Sequence, residues 1–433
     1  MSILTFATNK KERVSVRKIY DKRYFYYVYA CFFIYLMTIA IKMCYSAQMV
    51  SIIEEFNSTK AEIAKGLTVY YFIYAIAQII LAPQVKRMNM RNFLVITSLL
   101  SAISFGCVFF CTSLVQIWVI LALNGVLQSG VYGGFMSLFG KYLPDGMSEY
   151  VSNVLSLGLP LGTALTYGAS ALFVACFSWR HTFLFFAALF ILSVFVFIFE
   201  ERRVKIILHE TVKSKAPEKK ERMVPEKKGV GMLVFYIIII SLFSSVIYYG
   251  MTNWVPNLLK ELHGMPAQYS ILVTILVPFA MIPGPIIAAK SSEKHKNYFG
   301  VCAVFGLLSF LFCLALLFLY SSNIVTALLL SAVALLFLRG LVNMVCTYIP
   351  LILKKSYDAG KLSMISNALA SLGAGIAPFV TGLIMDSNGG ANWRGYYIFI
   401  LAIGFMCVVS LFFATRYLKK TQKNETDSGE REE

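Results

Sequence analysis

The chain has 433 residues, of which 58% are hydrophobic and only 14% charged, with a formal net charge of +17. So apolar a composition excludes an ordinary soluble domain and predicts a polytopic membrane protein. The positive charge falls mainly in an N-terminal arm, a middle linker and a tail, which argues against a nucleic-acid-binding surface and for contact with anionic lipid headgroups. The nine cysteines all lie in apolar runs and form no CxxC pair, so they read as packing residues, with neither a disulfide framework nor a metal site.

Residues 1–23 form a basic arm carrying Lys10, Lys11, Arg13, Arg17, Lys18, Lys22 and Arg23. Apolar runs long enough to cross a bilayer follow at 24–53, 63–83, 92–111, 115–142, 152–177 and 182–199. A linker at 200–231 alternates Lys and Glu around two prolines and reads as a solvated tether. The runs resume at 233–254, 269–289, 298–320, 324–353, 362–385 and 396–417, and a polar tail completes the chain. The expected architecture is all-α: twelve transmembrane helices in two six-helix bundles, 24–199 and 232–417, with a tail at 418–433. Lys86, Arg87, Arg91, Lys141, Lys290, Lys294, Lys296, Lys354, Lys355 and Lys361 fall on the N-terminal side, with the arm, linker and tail. Lys60, Lys65, Arg180, Lys260 and Arg394 fall on the other. This bias predicts cytoplasmic termini in the plasma membrane.

Two charges sit where the bilayer disfavours them. Lys42 lies about 15 Å, and Arg339 about 20 Å, from the end of its apolar run at 1.5 Å per residue. Both depths are near the middle of a hydrocarbon layer about 30 Å thick. A cation there costs from about 3 to more than 10 kcal/mol unless it faces a wet cavity or a partner. No apolar run carries an Asp or Glu at comparable depth. An anionic ligand that comes and goes is the simplest partner.

The two halves repeat. Ser152-Asn153-Val154-Leu155 recurs as Ser366-Asn367-Ala368-Leu369, and Trp179-Arg180 as Trp393-Arg394. Leu123-Asn124-Gly125 matches Leu338-Arg339-Gly340, Gln128 matches Asn343, Glu55 matches Glu261, and Lys42 falls opposite Tyr248. Order and near-constant spacing support two six-helix repeats, with the polar cluster built from the first and fourth helix of each.

On these residues the chain resembles a major facilitator superfamily transporter over nearly its whole length, arm and tail excepted. It is most similar to the organophosphate and organic-anion branches. The stretch 248–261, YYGMTNWVPNLLKE, is similar to the seventh helix of the organophosphate exchangers. Asn124-Gly125 with Gln128, and the stretch 86–94, KRMNMRNFL, are similar to two more of their motifs. The resemblance implies that the first and fourth helices of each half line a central cavity. It also implies an arginine on each of the first and seventh helices, where this chain has Lys42 and Tyr248. The acid of the family's inner loop motif is replaced here by Lys86, and its first glycine by Ala82. Fold and cavity therefore carry over, and phosphate as substrate does not.

The expected substrate-binding set is Lys42 and Arg339, with Asn124, Gln128, Tyr248, Asn343, Tyr45 and Tyr348 as hydrogen-bonding or ring contacts. Arg339 suits bidentate carboxylate or phosphate contact, whereas Lys42 is a compact charge. Asn and Gln also bridge helices, and tyrosines also pack, so each has a bland role beside the functional one. No HExxH, phosphate-binding loop or nucleophile elbow is present, no cofactor or catalytic residue is expected, and all four histidines lie in or beside loops. The reading is a secondary transporter for a small organic anion, a carboxylate or phosphorylated metabolite, working by alternating access as exchanger or symporter. It is expected to act as a monomer in the bilayer, with no nucleic acid as partner. The alternatives are a transporter-like anion sensor and a carrier of a zwitterionic or neutral solute.

Overall fold

The computed structural model describes residues 20–211, 230–349 and 359–429, apart from 82–83, 85–87, 145–146, 148–149, 152–153, 156, 296 and 388–391. The basic arm, most of the linker and residues 350–358 lie outside the described residues, as do Lys86, Arg87 and Lys296. Twelve helical stretches are long and apolar enough to cross a membrane, six before the linker and six after it. In lipid every backbone N–H and C=O must be satisfied within the chain, so a continuous apolar run of this length has little choice but a helix.

In chain order the first half contains α1 (Lys22–Phe56), α2 (Lys60–Leu81), α3 (Met90–Gly106), α4 (Leu114–Gln128), α5 (Val131–Tyr142), α6 (Gly158–Cys176) and α7 (Trp179–Thr211). The second contains α8 (Val230–Thr252), α9 (Val255–His263), α10 (Ala267–Thr274), α11 (Leu276–Met281), α12 (Pro283–His295), α13 (Tyr298–Leu319), α14 (Ile324–Asn343), α15 (Ala359–Asp386) and α16 (Trp393–Gly429). Polar residues just outside the apolar runs set the starts. Asn89, Asn297 and Asn323 each accept a hydrogen bond from the backbone N–H three residues on, and Ser113 with Gln116 forms a full capping box at α4. Left-handed residues set two of the stops: Asn57 after α1 (φ 48°) and Gly264 after α9 (φ 64°).

Three expected runs are interrupted. The run 115–142 divides at Ser129-Gly130 into α4 and α5. The run 233–254 ends as expected at Trp254 (φ −103°, ψ 0°), beyond which α9 starts afresh with Pro256 in its first turn. The run 269–289 divides into α10, α11 and α12 around Pro278, Pro283 and Pro285, because proline removes a backbone donor and crowds the preceding turn. The run 324–353 leaves α-geometry after Asn343 for a π-helical turn, Met344–Tyr348.

The helices cluster into two compact units. One holds α1, α3–α7, the body of α2 from Lys65 onward, and residues 266–279; the other holds α8, α9, α12–α16 and residues 59–64. Small residues make the tight helix crossings. In the first unit a side chain at Gly162 of α6 would meet Ile39 at 2.8 Å and the Leu36 carbonyl at 3.4 Å on α1. In the second, one at Gly373 of α15 would meet the Leu242 carbonyl at 2.8 Å on α8. Such crossings supply the dispersion contacts that hold helices together where lipid is as apolar as the side chains. The outward faces carry residues such as Ile76, Ile79, Ile80, Leu172, Phe195, Phe318 and Leu329, all exposed, as lipid-facing positions should be.

The repeat read from the sequence has matching contacts in the two units. Glu55, at the end of α1, accepts a hydrogen bond from the indole Nε1 of Trp179 at the start of α7 (2.5 Å). Glu261, on α9, accepts one from Trp393 Nε1 at the start of α16 (3.0 Å). Gly125 and Gly340 share a reason as well. A Cβ at Gly125 would lie 2.6 Å from the Tyr70 carbonyl of α2, and one at Gly340 would lie 2.9 Å from the Gly284 carbonyl of α12. In each repeat the fourth spanning helix meets the second backbone to backbone, and only glycine leaves room.

Candidate functional site

In the first unit Lys42 is half-buried on α1, and its Nζ lies 4.4 Å from the centroid of the Tyr74 ring on α2. The ring's negative face is a weak substitute for a counter-ion, contributing about 0.5–2 kcal/mol depending on desolvation. Tyr74 is held from two sides. Tyr70 stacks on it with centroids 6.1 Å apart, and Gly125 of α4 lets the α4 backbone close on the Tyr70–Tyr74 turn.

Asn124 and Gln128 serve that same turn. Tyr70 donates its hydroxyl to Gln128 Oε1 (2.9 Å), and Gln128 Nε2 donates to Ser101 Oγ (3.1 Å). Ser101 donates to Asn124 Oδ1 (2.5 Å), and Asn124 Nδ2 donates to Ser104 Oγ (3.0 Å) and the Ile120 carbonyl (2.9 Å). Both amides are buried, and the chain of bonds ties α2, α3 and α4 together. A buried network of this kind fixes helix register because every unmade bond would leave a desolvated polar group. Ser101→Ala is therefore expected to lower stability by about 1–3 kcal/mol, read as a drop in the melting temperature of the detergent-solubilised protein. Tyr45 is fully buried, with its ring in the space that a side chain at Gly66 would need.

In the second unit Arg339 is half-buried on α14, with its guanidinium carbon 5.9 Å from the Tyr248 ring of α8. Tyr248 is buried and makes an edge-on contact with Tyr249. Asn343 is half-buried one turn beyond Arg339, on the same face of α14. Gly340 and Gly284 bring α14 and α12 together beside Arg339: a Cβ at Gly284 would clash with the Leu336 carbonyl and come within 3.2 Å of Gly340 N. Tyr348 falls in the π-helical turn, and its side chain lies outside the described residues.

Among the described residues neither Lys42 nor Arg339 makes an ion pair, and no cluster of His, Cys, Asp or Glu could hold a metal ion. Each unit thus presents one unneutralised, half-buried cation resting on a tyrosine. Tyr74 was not among the residues expected from the sequence. Its only signal was the Tyr70-Tyr71-Phe72-Ile73-Tyr74 cluster, which places Tyr70 and Tyr74 one turn apart on one face of α2.

Residues 31–365 match the Major Facilitator Superfamily. The chain belongs to that family, whose fold is the twelve-helix arrangement described above. A protein of Staphylococcus aureus (strain MSSA476), provisionally named a proline/betaine transporter, is 24% identical over 320 residues. The match takes in 68% of this chain and 64% of the relative's length. The counterpart in strain COL is 23% identical over the same extent. Among solved structures, a bacterial homologue of the human lysosomal transporter Spinster superposes with a TM-score of 0.73 at 15% identity, covering 93% of this chain and 98% of that one. A D-xylose–proton symporter superposes at 0.70 with 14% identity, covering 91% and 97%. At these identities the superpositions establish the fold alone. The protein is a multi-pass integral membrane protein with the fold of a transporter family.

Proposed function

We propose that the protein is a secondary transporter that moves a small organic anion, a carboxylate or phosphorylated metabolite, by alternating access as an exchanger or symporter. One observation carries the reading: each unit holds a half-buried cation on a tyrosine face with no carboxylate partner among the described residues. Retaining such a charge at membrane depth is costly unless a ligand neutralises it for part of the cycle. A solute that does so in one conformation more than the other shifts the equilibrium between them.

Arg339 offers a planar fork to a carboxylate or phosphate, with Asn343 a turn away as a further donor. Lys42 adds a point charge. Asn124 and Gln128, whose hydrogen bonds are occupied within α2–α4, act on the solute through Tyr70 and Tyr74. The positive residues concentrated on one side of the membrane support cytoplasmic termini in the plasma membrane. The sequence motifs in α4 and α8–α9 support a place near the organophosphate and organic-anion branches of the family.

The name carried by the Staphylococcus relatives favours a second reading, a zwitterion such as proline or a betaine with its carboxylate on Arg339. Each unit carries a half-buried cation on a tyrosine, with no carboxylate partner among the described residues to attract an ammonium group. That charge balance favours the anion. The test is a thermal-shift screen of the purified protein against carboxylates, sugar phosphates, inorganic anions, proline, betaine and neutral sugars. Ligands that bind only the folded state raise its melting temperature by mass action. Stabilisation by anions, lost in Arg339→Ala, is the expected outcome. Stabilisation by proline and betaine with none by dicarboxylates selects the second reading, and stabilisation by neutral sugars alone refutes both.

A further inference from the structure

The second unit contains a short segment of the first sequence half, residues 59–64, docked against α9 and α15. Asp386, at the end of α15, caps the start of α2: its two carboxylate oxygens accept from the backbone N–H of Lys60 (3.0 Å) and of Ala61 (2.7 Å). One turn earlier, a Cβ on Gly382 would lie 2.9 Å from Ala61 N, so α15 and the start of α2 touch through backbone. The Lys60 ammonium, nearly buried, pairs with Glu261 at 3.0 Å. In the first repeat the corresponding carboxylate, Glu55, is held by its own half: Trp179 and, at 2.6 Å, Arg180. In the second repeat Trp393 plays its part on Glu261, but Arg394, the counterpart of Arg180, is exposed and makes no ion pair among the described residues. Lys60 occupies the position that Arg180 fills in the other repeat.

We infer that Glu261 is an exchange point in a conformational latch: Lys60 holds it while residues 59–64 are docked, and Arg394 takes it over when they leave. The physical reason is the carboxylate itself. The Glu261 side chain is 27% exposed and accepts from Trp393, so pulling the nearly buried Lys60 away would leave a half-screened carboxylate with an indole as its partner and no cation, a moderate penalty. A second cation on the neighbouring residue of the same helix start removes that penalty and keeps the docked and undocked states close in free energy, as a cycling protein requires. The inference does not depend on which solute is carried.

The test is alkylation of Ala61→Cys in the purified full-length protein by a maleimide, with modification at position 61 followed by peptide mass spectrometry so that Cys107 and Cys176 do not interfere. Ala61 is buried in the docked state, so its labelling rate reports undocking. Asp386→Asn is expected to raise that rate roughly tenfold, the size of one lost charge-assisted hydrogen bond. Arg394→Ala is expected to lower it by a similar factor, and Arg394→Lys to restore it. Each variant is first required to elute as a monodisperse peak; should Asp386→Asn fail, Gly382→Ala, which crowds the docking face, carries the same expectation. Faster labelling in Asp386→Asn with no change in Arg394→Ala overturns the exchange. Unchanged labelling in both overturns the latch.

Discussion

Arg339→Ala is expected to remove anion uptake into liposomes reconstituted with the purified protein, while leaving the fold intact. The guanidinium is half-buried, faces Tyr248 and has no carboxylate partner among the described residues, so its removal relieves a buried charge and breaks no ion pair of the protein's own. The melting temperature without ligand should therefore hold or rise. Losing one buried, hydrogen-bonded charge contact to a ligand costs about 2–5 kcal/mol, or roughly 30-fold to several thousand-fold in affinity. Arg339→Lys should recover only part of this, because an ammonium cannot reproduce a bidentate fork. Lys42→Ala should weaken binding less, since Lys42 supplies a point charge already shared with the Tyr74 ring. Uptake and anion selectivity unaltered in both alanine variants would refute the proposed function.

Gly284→Val is expected to destroy the second unit, by a route that has nothing to do with charge. The first atom of any side chain at Gly284 would fall on the Leu336 carbonyl of α14, and the opposing Gly340 has no side chain to yield. Backbone cannot move aside as a flexible side chain can, so the crossing of α12 and α14 must open. Overpacking a tight contact costs about 1–3 kcal/mol and more when backbone is the obstacle. Gly284→Ala should give a folded protein with a clearly lowered melting temperature, and Gly284→Val an aggregated one on size-exclusion chromatography. Since Arg339 immediately precedes Gly340, the alanine variant should also lose ligand stabilisation out of proportion to its loss of Tm. A Gly284→Ala protein as stable as the parent would show that the crossing is looser than described.

Much of this was legible in the linear chain. Twelve spans follow from apolar length, since a bilayer accepts little besides helices. The internal repeat was visible as Glu55 with Glu261, Trp179-Arg180 with Trp393-Arg394, and Gly125 with Gly340. The structure gives each match a contact: a carboxylate on an indole, and a glycine against a facing backbone. The helix breaks were less legible. Prolines were present in the run 269–289, but proline is tolerated in membrane helices often enough that its presence alone does not decide a break. The π-helical turn after Asn343 had no local signal.

Composition and apolar run length by themselves determined the membrane class, the number of spans and the unusual depth of Lys42 and Arg339, and residue matches between the halves added the two repeats. These are properties of single helices in a fixed solvent, so one chain read in order contains them. Only the tertiary structure decided what those charges meet. Lys42 rests on Tyr74, Asn124 and Gln128 spend their hydrogen bonds tying α2 to α3 and α4, and Lys60 takes the seat on Glu261 that the repeat would assign to Arg394. Each of these depends on the rotation of one helix against another. In a membrane that rotation is set by close packing and hydrogen bonds, because the hydrophobic patterning that orients helices in water is absent among uniformly apolar faces.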